Sequence, residues 1–323
     1  MRALVLEPGR GLSLVDLPPP KPGPGEALIG IRRAGICRTD LELVRGYMEF
    51  RGVPGHEFVG EVLETTSPAD RVLIGARVAG EINLGCGDCI ACAEGMSRHC
   101  PRRKVLGLLG KDGAFAELLT LPVSNLRAVP DSISDRQAVF IEPAAAAFEI
   151  LDQVQIAAAY RVLVLGDGKL GLLVAQVAAT KSRNIVVAGH HEAKLAIARR
   201  WGLETVNLKD EEGEAGFDVV VECTGSPAAL GLAIDRVRPR GTVIMKTTAS
   251  SDSPFPANRV VVDEITLIGS RCGRFEPAIA ALVSGDVRVE DLIADEFDLD
   301  RGAEAFERAA APGVLKVLLR VSG

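Results

Sequence analysis

The chain has 323 residues, of which 47% are hydrophobic and 25% charged, so it can form one large or two ordinary globular domains. Its formal net charge of −6 argues against a nucleic acid or an anionic membrane as partner. The N-terminal MRALVLEPGRG lacks the apolar stretch of a signal peptide, and no apolar run approaches the roughly 18 residues of a membrane span. We therefore expect a cytoplasmic protein with reduced thiols.

The first part of the chain is predicted to consist mainly of β-strands. The runs LSLVDL, EALIGIRRAG and HEFVGEVLE have the composition and alternation of half-buried strands. The segment PPPKPGPGE follows the first of them and has the proline and glycine content of a loop. We expect a β-rich domain over roughly the first 140 residues.

Three short stretches in this part carry residues that bind metals. They are GICRTD with Cys37, GHE with His56 and Glu57, and IEP with Glu142. A lone cysteine is usually a small buried hydrophobe, a lone histidine is usually structural, and a glutamate before proline can cap a helix. Their occurrence around a cysteine cluster favours a metal site over these ordinary roles.

The cysteine cluster is CGDCIACAEGMSRHC, which contains Cys86, Cys89, Cys92 and Cys100. Four thiolates can close a tetrahedral zinc site and leave no open position for a substrate, so we expect a structural zinc here. The run is also similar to the C-x2-C-x2-C-x3-C-P pattern of ferredoxins, which keeps an iron–sulfur cluster as an alternative. A redox-active dithiol without metal is a further alternative.

The second part of the chain alternates strands and helices. PAAAAFEILDQVQIA has helical composition, and YRVLVLGDGKLGLLVAQVAATKSRNIVVAG has the pattern of a strand–helix–strand unit. FDVVVECTG, GTVIMKTT and EITLIGS are further buried strands. This alternation predicts a doubly wound parallel sheet, and the remaining tail contains two helical patches and a last strand, LKVLLRV.

A G-x-G-x-x-G motif follows the first strand of this part and opens a helix. It comprises Gly166, Gly168 and Gly171, with Lys169 and Leu170 between the last two glycines. In this context the bare backbone and the helix N-terminus can receive the pyrophosphate of a dinucleotide. The alternative is a plain tight turn between strand and helix.

The end of the next strand should select the ribose of the cofactor. It has Gly189, followed by His190, His191 and Lys194, and no carboxylate that could accept a bond from a 2′-hydroxyl. Gly189 leaves room, and the basic residues could meet a 2′-phosphate, which favours NADP(H) over NAD(H). The alternative is that the histidines are exposed loop residues without selectivity, since Glu192 is also near.

In their order along the chain, these motifs resemble those of the zinc-dependent medium-chain dehydrogenase/reductase family, which includes alcohol, sorbitol and threonine dehydrogenases. The resemblance implies an α/β protein with a GroES-like β-rich catalytic domain at residues 1–143 and 272–323. It implies a Rossmann coenzyme domain with a doubly wound parallel sheet at residues 144–271. It also implies a homodimer or homotetramer.

Carried over residue by residue, the resemblance implies a catalytic zinc held by Cys37, His56 and Glu142. Glu57 is then a transient ligand or a neighbour of the ligands. Thr39 supplies the hydroxyl that hydrogen-bonds the substrate oxygen.

The resemblance also implies further cofactor contacts. Arg38 and Lys316 match basic residues that contact the pyrophosphate in some relatives, and Arg271 completes the candidate set. The family's usual relay histidine is replaced by Glu42, so the route of the proton departs from the family pattern.

The implied activity is hydride transfer between an alcohol and a nicotinamide cofactor, with two zinc ions per chain. Zinc is a redox-silent Lewis acid that acidifies a bound hydroxyl, and this favours departure of the hydride. A glutamate ligand and an aromatic content of only 4% favour a polar substrate such as a polyol, amino-alcohol or sugar. The rivals are a zinc-independent quinone or enoyl reductase and a nucleotide-binding protein without turnover.

Overall fold

The computed structural model of the chain describes residues 1–211, 213–248 and 254–322. The chain forms two compact units. The first contains Met1–Glu142, Ala278–Val283 and Leu292–Gly323, and the second contains Pro143–Pro277 and Ser284–Asp291. The domain limits expected from the sequence stay a prediction, since compactness alone assigns no function to either unit.

Short strands dominate the N-terminal part of the chain. The strands are β1 (Arg2–Glu7), β2 (Gly11–Asp16), β3 (Glu26–Gly35), β4 (Glu57–Thr65), β5 (Arg77–Gly80), β6 (Asn83–Leu84), β7 (Lys104–Leu106), β8 (Gly110–Lys111), β9 (Leu118–Pro122) and β10 (Leu126–Ala128). Three short helices accompany them: α1 (Arg38–Val44), α2 (Ile90–Ala93) and α3 (Asp135–Ala138). The strands expected from LSLVDL, EALIGIRRAG and HEFVGEVLE correspond to β2, β3 and β4.

Strands and helices alternate in the middle of the chain. The strands are β11 (Arg161–Leu165), β12 (Asn184–Gly189), β13 (Glu204–Asn207), β14 (Phe217–Glu222), β15 (Val237–Met245) and β16 (Thr266–Gly269). The helices are α4 (Ile141–Gln153), α5 (Lys169–Ala179), α6 (Glu192–Arg200), α7 (Ala229–Arg236) and α8 (Ala257–Val262). The C-terminal part adds α9 (Phe275–Ser284), β17 (Ile293–Asp298), α10 (Gly302–Ala310) and β18 (Lys316–Arg320).

The main sheet of the first unit has the strand order β10-β5-β4-β3-β18-β17, and β9 also pairs with β3. β3 and β4 are antiparallel with Gly35 opposite Glu57, and the C-terminal strand β18 lies on the other side of β3. Ile29 and Ile31 on β3 are fully buried, as alternation along a half-buried strand requires. The end of β3, the start of β4 and the start of β18 therefore lie side by side.

The second unit contains a six-stranded sheet of order β13-β12-β11-β14-β15-β16, in which all neighbours are parallel. This is the doubly wound arrangement, so the fold class expected from the sequence is confirmed. The buried runs RVLVL and NIVVAG form β11 and β12, as predicted. The short strand β13 and the helix α7 were not predicted, because ETVN has one apolar residue and ALGLAIDR is too short for a clear period.

The parallel sheet brings several turns to one edge. The N–H of Gly166, after β11, donates to the carbonyl of Ala188 in β12 at 2.8 Å. The N–H of Cys223, after β14, donates to the carbonyl of Leu165 in β11 at 2.8 Å. The glycine motif and the end of β12 are therefore neighbours at the carboxyl edge of the sheet, where nucleotides bind in such folds.

Over the residues that the structure describes, no helix has both the length and the apolar character needed to cross a membrane.

Candidate metal and nucleotide sites

Cys37, His56 and Glu57 form a compact group of possible metal ligands. Their ligand atoms all lie within 4.8 Å of one another. Cys37 immediately precedes α1, and the other two residues lie at the start of β4, next to the end of β3. His56 is 3% exposed and Glu57 is 1% exposed, whereas Cys37 is partly exposed.

Asp40, which the sequence reasoning missed, orients this group. Its Oδ2 accepts the backbone N–H of Cys37 at 2.8 Å, and its Oδ1 lies 3.4 Å from His56 Nδ1. Burial acts to lower the pKa of His56, but the carboxylate of Asp40 and the Cys37 sulfur together raise that pKa well above the ordinary value of 6.5. The surroundings of His56 therefore favour a positive charge, which a metal cation would also supply.

Two buried atoms at this site have no hydrogen-bond partner among the described residues. They are Asp40 Oδ1 and His56 Nδ1, whose separation is in the ion-pair range but does not meet hydrogen-bond geometry. Unpaired buried polar atoms are costly in the absence of a ligand. A thiol, an imidazole and a carboxylate form a donor set that suits zinc, so the residues present here fit a zinc site.

Lys316 does not have the position that the resemblance implied. Its side chain is fully buried, its Nζ pairs with Glu57, and it lies 5.5 Å from the ring centroid of Phe140. The expected contact with a cofactor pyrophosphate is therefore corrected. The physical reason is that a buried ammonium needs a buried counter-charge, and Glu57 provides it.

The remaining residues predicted around the metal are placed as follows. The hydroxyl of Thr39 lies 3.8 Å from the Cys37 sulfur. Glu142 lies in the first turn of α4, is partly exposed, and is not a member of the ligand group formed by the described residues. Arg38 and Glu42 form an exposed ion pair of 2.8 Å on α1, and Glu42 also pairs with Arg45 at 2.9 Å.

The four clustered cysteines converge as their spacing predicted. The ligand atoms of Cys86, Cys89, Cys92 and Cys100 all lie within 4.8 Å of one another. The sulfurs of Cys86 and Cys100 are 3.4 Å apart, far beyond the ~2.05 Å of a disulfide. Four converging free thiols fit a closed tetrahedral zinc site.

Local hydrogen bonds already distinguish two of these thiols. The backbone N–H of Cys86 donates to the sulfur of Cys100 at 3.4 Å, and chiefly for this reason the pKa of Cys100 falls to about 6. A hydrogen bond with Asp88 is the main cause that raises the pKa of Cys86 to about 12. One sulfur is thus favoured as a thiolate while its neighbour retains a proton, a proton that metal binding would displace.

The glycines of the G-x-G-x-x-G motif have three distinct environments. A Cβ on Gly166, whose φ is +118°, would lie 2.8 Å from the carbonyl oxygen of Cys223. A Cβ on Gly171 would lie 1.9 Å from the carbonyl oxygen of Gly166, so helix and strand pack too closely for a side chain. A Cβ on Gly168 would meet nothing within 4 Å, and this residue caps α5. The open backbone at the helix N-terminus fits a pyrophosphate.

The end of β12 corrects one expectation about Gly189. A Cβ on this glycine would lie 2.4 Å from the carboxylate of Asp167, so Asp167 occupies the space that was expected to receive a 2′-phosphate. His190 and His191 are exposed, as in the alternative interpretation of the sequence, and both of their backbone N–H groups donate to Asp167. Asp167 was not predicted, because its contact with the end of β12 depends on the fold and has no signal in the local sequence.

The other predicted cofactor residues lie around the same edge. Lys169 and Leu170 form the first turn of α5, and Lys194 lies in the first turn of α6. The side chain of Arg271 is exposed, and its carbonyl accepts a bond of 3.0 Å from Lys246. Lys246, at the end of β15, was not singled out from the sequence.

Comparisons with known proteins agree with this architecture. The family model described as "Alcohol dehydrogenase GroES-like domain" matches residues 23–131, and the model described as "Zinc-binding dehydrogenase" matches residues 170–284. The fold and the matched models define a zinc-binding oxidoreductase with a nucleotide-binding sheet. The chain is 32% identical to an L-threonine 3-dehydrogenase from Chelativorans sp. strain BNC1, with 99% of this chain and 98% of that protein covered.

Two solved structures show the same fold over nearly the whole chain. One is described as a zinc-binding dehydrogenase from Sinorhizobium meliloti 1021 bound to NADP, with a TM-score of 0.92 and 27% identity. The other is described as a short-chain alcohol dehydrogenase from Escherichia coli CFT073 complexed with NADH, also with a TM-score of 0.92 and 27% identity. In both comparisons 99% of each chain is covered. The chain therefore belongs to the zinc-dependent, alcohol dehydrogenase-like family of medium-chain dehydrogenases/reductases, as its motifs predicted.

Proposed function

We propose that this zinc-dependent, nicotinamide-linked alcohol dehydrogenase acts on a polar alcohol, a polyol or amino-alcohol, and that it holds two zinc ions with different tasks. The observation that carries the proposal is the presence of two separate donor groups. One consists of four thiols, and the other mixes Cys37, His56 and a carboxylate. Four thiolates close a zinc site, whereas a mixed set of three ligands leaves a position for substrate.

The mixed site would be the catalytic one. When bound there, zinc supplies a Lewis acid that stabilises negative charge on the alcohol oxygen, and the nicotinamide accepts the hydride. Cys37 and His56 hold the metal, and Asp40 fixes the imidazole from behind, as carboxylates commonly do for metal-bound histidines. Thr39, next to Cys37, offers its hydroxyl as a hydrogen-bond partner for the substrate oxygen.

Two glutamates, Glu57 and Glu142, are candidates for the third ligand. Glu57 already lies with Cys37 and His56, but it also compensates the buried charge of Lys316. Glu142 is the ligand that the resemblance implies, and it lies in the first turn of α4. We assign the ligand role to Glu142 and the charge-compensating role to Glu57.

The two glutamates can be separated by matched variants. Glu142→Gln should lower zinc occupancy of the mixed site while the fold is retained. Glu57→Gln should instead destabilise the first unit, because it leaves the Lys316 ammonium without its counter-charge. Zinc content and thermal unfolding of the two variants, measured side by side, decide the assignment. Full zinc occupancy in Glu142→Gln would contradict it.

Two observations support the substrate class. The aromatic content of the chain is only 4%. One relative is an L-threonine 3-dehydrogenase, whose name denotes an amino-alcohol substrate. The test is a panel of polyols, amino-alcohols, sugars and simple aliphatic alcohols, each with NAD⁺ and NADP⁺, followed by the absorbance of the reduced cofactor. Polar substrates should give the higher kcat/KM. A clear preference for long aliphatic or aromatic alcohols would contradict the proposal, and His56→Ala is the control for background reduction.

The sequence alone predicted a preference for NADP(H) over NAD(H), and observations now stand on both sides of it. In its favour are the basic residues His190, His191 and Lys194 after β12 and the NADP-bound structure of one similar protein. Against it stands the complex of the other similar protein with NADH. The NADP(H) preference also assumed free space beside Gly189, and the side chain of Asp167 fills that space.

A further inference from the structure

Asp167 is an acidic residue at the second position of the glycine motif, where its side chain is only 9% exposed. Its Oδ2 accepts the backbone N–H of His190 at 2.8 Å and that of His191 at 2.7 Å. The Nδ1 of His191 lies 3.0 Å from both carboxylate oxygens. The carboxylate thus reaches from the loop after β11 to the end of β12 and is held there by three nitrogen atoms.

The position of this carboxylate is the informative feature. In doubly wound nucleotide-binding sheets, a carboxylate at the end of the second strand accepts a hydrogen bond from the ribose 2′-hydroxyl. Here that strand ends in Gly189, and a Cβ at this residue would lie 2.4 to 2.5 Å from Asp167 Oδ2, Cβ and Cγ. The side chain of Asp167 therefore fills the space into which a strand-end side chain would project.

We propose that Asp167 is the residue that selects the adenosine ribose, and that it makes this site prefer NAD(H) over NADP(H). The inference rests on the proposed nicotinamide-linked function and reverses the preference expected from the sequence. The end of β12 has no carboxylate of its own, and Asp167 in the glycine loop supplies one instead.

The first physical reason concerns the hydrogen-bond donors at the strand end. A 2′-phosphate needs N–H groups or cations, but the N–H groups of His190 and His191 already donate to Asp167. The imidazole of His191 also faces the carboxylate. A phosphate would have to displace an internal carboxylate from these donors, and a buried carboxylate without partners is costly.

The second reason is charge. A 2′-phosphate placed beside Asp167 would bring two like charges together in a site of low exposure, where screening by water and salt is weak. A 2′-hydroxyl can instead donate to the carboxylate. Among the described residues, His191 Nδ1 is the one hydrogen-bond partner of Asp167 Oδ1, and a carboxylate oxygen has two lone pairs. The like charge is the repulsive element that excludes the wrong cofactor.

The test is a direct measurement of cofactor binding in the absence of substrate. Dissociation constants of NADH and NADPH are determined by isothermal titration calorimetry for the whole protein and for Asp167→Asn, which preserves shape and removes the charge. NADH should bind the unmodified protein at least about tenfold more tightly than NADPH. In Asp167→Asn the ratio should fall towards one, chiefly through tighter binding of NADPH.

A matched control is Asp218→Asn. Asp218 also accepts a backbone N–H, from Arg161 at 2.8 Å, but it lies at the start of β14, at the opposite edge of the same sheet. This variant should leave the ratio of the two dissociation constants unchanged. Asp167→Ser, which keeps a short acceptor for the backbone N–H groups, replaces Asp167→Asn if the latter fails to fold.

The ratio separates the inference from the function on which it rests. Equal or tighter binding of NADPH by the unmodified protein would overturn the inference while leaving the dehydrogenase function intact. An unchanged ratio in both Asp167 variants would do the same. Failure to bind either cofactor would overturn the proposed function and the inference with it.

Discussion

At the scale of single residues, the carboxylate of Asp40 links a helix start to a metal ligand. It caps α1 through the N–H of Cys37 and faces His56 Nδ1. Carboxylates that face a metal-bound imidazole fix its orientation and raise its basicity, and their loss commonly costs 10- to 100-fold in metal affinity. This arrangement leads to a prediction about metal retention.

Asp40→Asn should weaken zinc binding at the mixed site by about 10-fold or more, because the amide lacks the charge that favours a cation beside His56. Competition with a chelator, followed by the zinc that stays bound, measures the effect. Asp152→Asn is a control, since that carboxylate forms an exposed pair with Arg274. Equal retention of zinc in the two variants would count against the role given to Asp40.

A second residue-scale prediction concerns Asp218 and pH. Burial acts to raise the pKa of Asp218, but the hydrogen bonds from Arg238 and from the backbone N–H of Arg161 lower it below its ordinary value of 3.8. A depressed pKa means that stability is present above the unfolded-state pKa and is lost as the pH falls through the folded-state pKa. Asp218→Asn should therefore lower the free energy of unfolding by about 1 kcal/mol at pH 7. The difference between the two proteins should vanish in acid.

Denaturant unfolding of the two proteins over a range of pH measures this difference. A difference in the free energy of unfolding that persists or increases below the ordinary pKa of the carboxyl would show that Asp218 does not stabilise the fold through its charge.

Residue types in known patterns were predictable, whereas partners across the fold were not. Cys37 and His56 could be identified because ligand chemistry restricts those positions. Asp40 had a local signal, since it stands three residues after the residue that caps α1. Asp167 and Lys316 had none, because their roles depend on Gly189 and Glu57, which lie far along the chain. Lys316 also shows that a residue which matches a basic position in related sequences can be fully buried.

At the scale of elements, the segment that carries the four cysteines has little regular structure of its own. Between β6 and β7 it contains the four-residue helix α2 and a short 3-10 turn. Ile90 in α2 is 79% exposed and Met96 is 44% exposed, so this segment buries little apolar surface. A metal that joins the four thiolates would then be its main source of rigidity.

Cys92→Ser should therefore remove about one zinc ion per chain and lower the thermal stability of the protein, while cofactor binding, which depends on the parallel sheet, is retained. Metal analysis together with calorimetry tests this. Unchanged metal content and unchanged melting would mean that the four cysteines do not form a closed site. Cys223→Ser, at a cysteine outside the cluster, is the control for the loss of a thiol.

The elements themselves were predicted to different degrees. Long buried runs such as those of β11, β12 and β14 were recognised, because continuous apolar composition bounded by turns is a strong signal. β13 and α7 were missed, since neither is long enough to show a period. The strand order was not predicted, because the right-handed connections of parallel strands restrict the topology without fixing which strands are neighbours.

At the scale of the whole molecule, the parallel sheet ends in an edge strand. Among the described residues, β16 is the last strand in the sheet order and pairs with β15 alone. The helix before it, α8, has two highly exposed valines, Val261 at 76% and Val262 at 78%. Exposed edges and apolar side chains of this kind are normally covered in stable proteins.

We therefore expect a homodimer or homotetramer in which this edge is covered by a second copy. Light scattering at micromolar concentration measures the mass, which is 34.1 kDa for one chain. A Val261→Lys, Val262→Lys double variant should shift the population towards monomer. A monodisperse monomer of the unmodified protein would contradict the expectation.

The presence of two different zinc sites is tested by the number of zinc ions per chain, determined by elemental analysis in the unmodified protein, in His56→Ala and in Cys92→Ser. We expect about two zinc ions in the unmodified protein and about one in each variant, with turnover lost in His56→Ala. One zinc ion in the unmodified protein, unchanged in His56→Ala, would show that the mixed site holds no metal and would contradict a zinc-dependent turnover at this site.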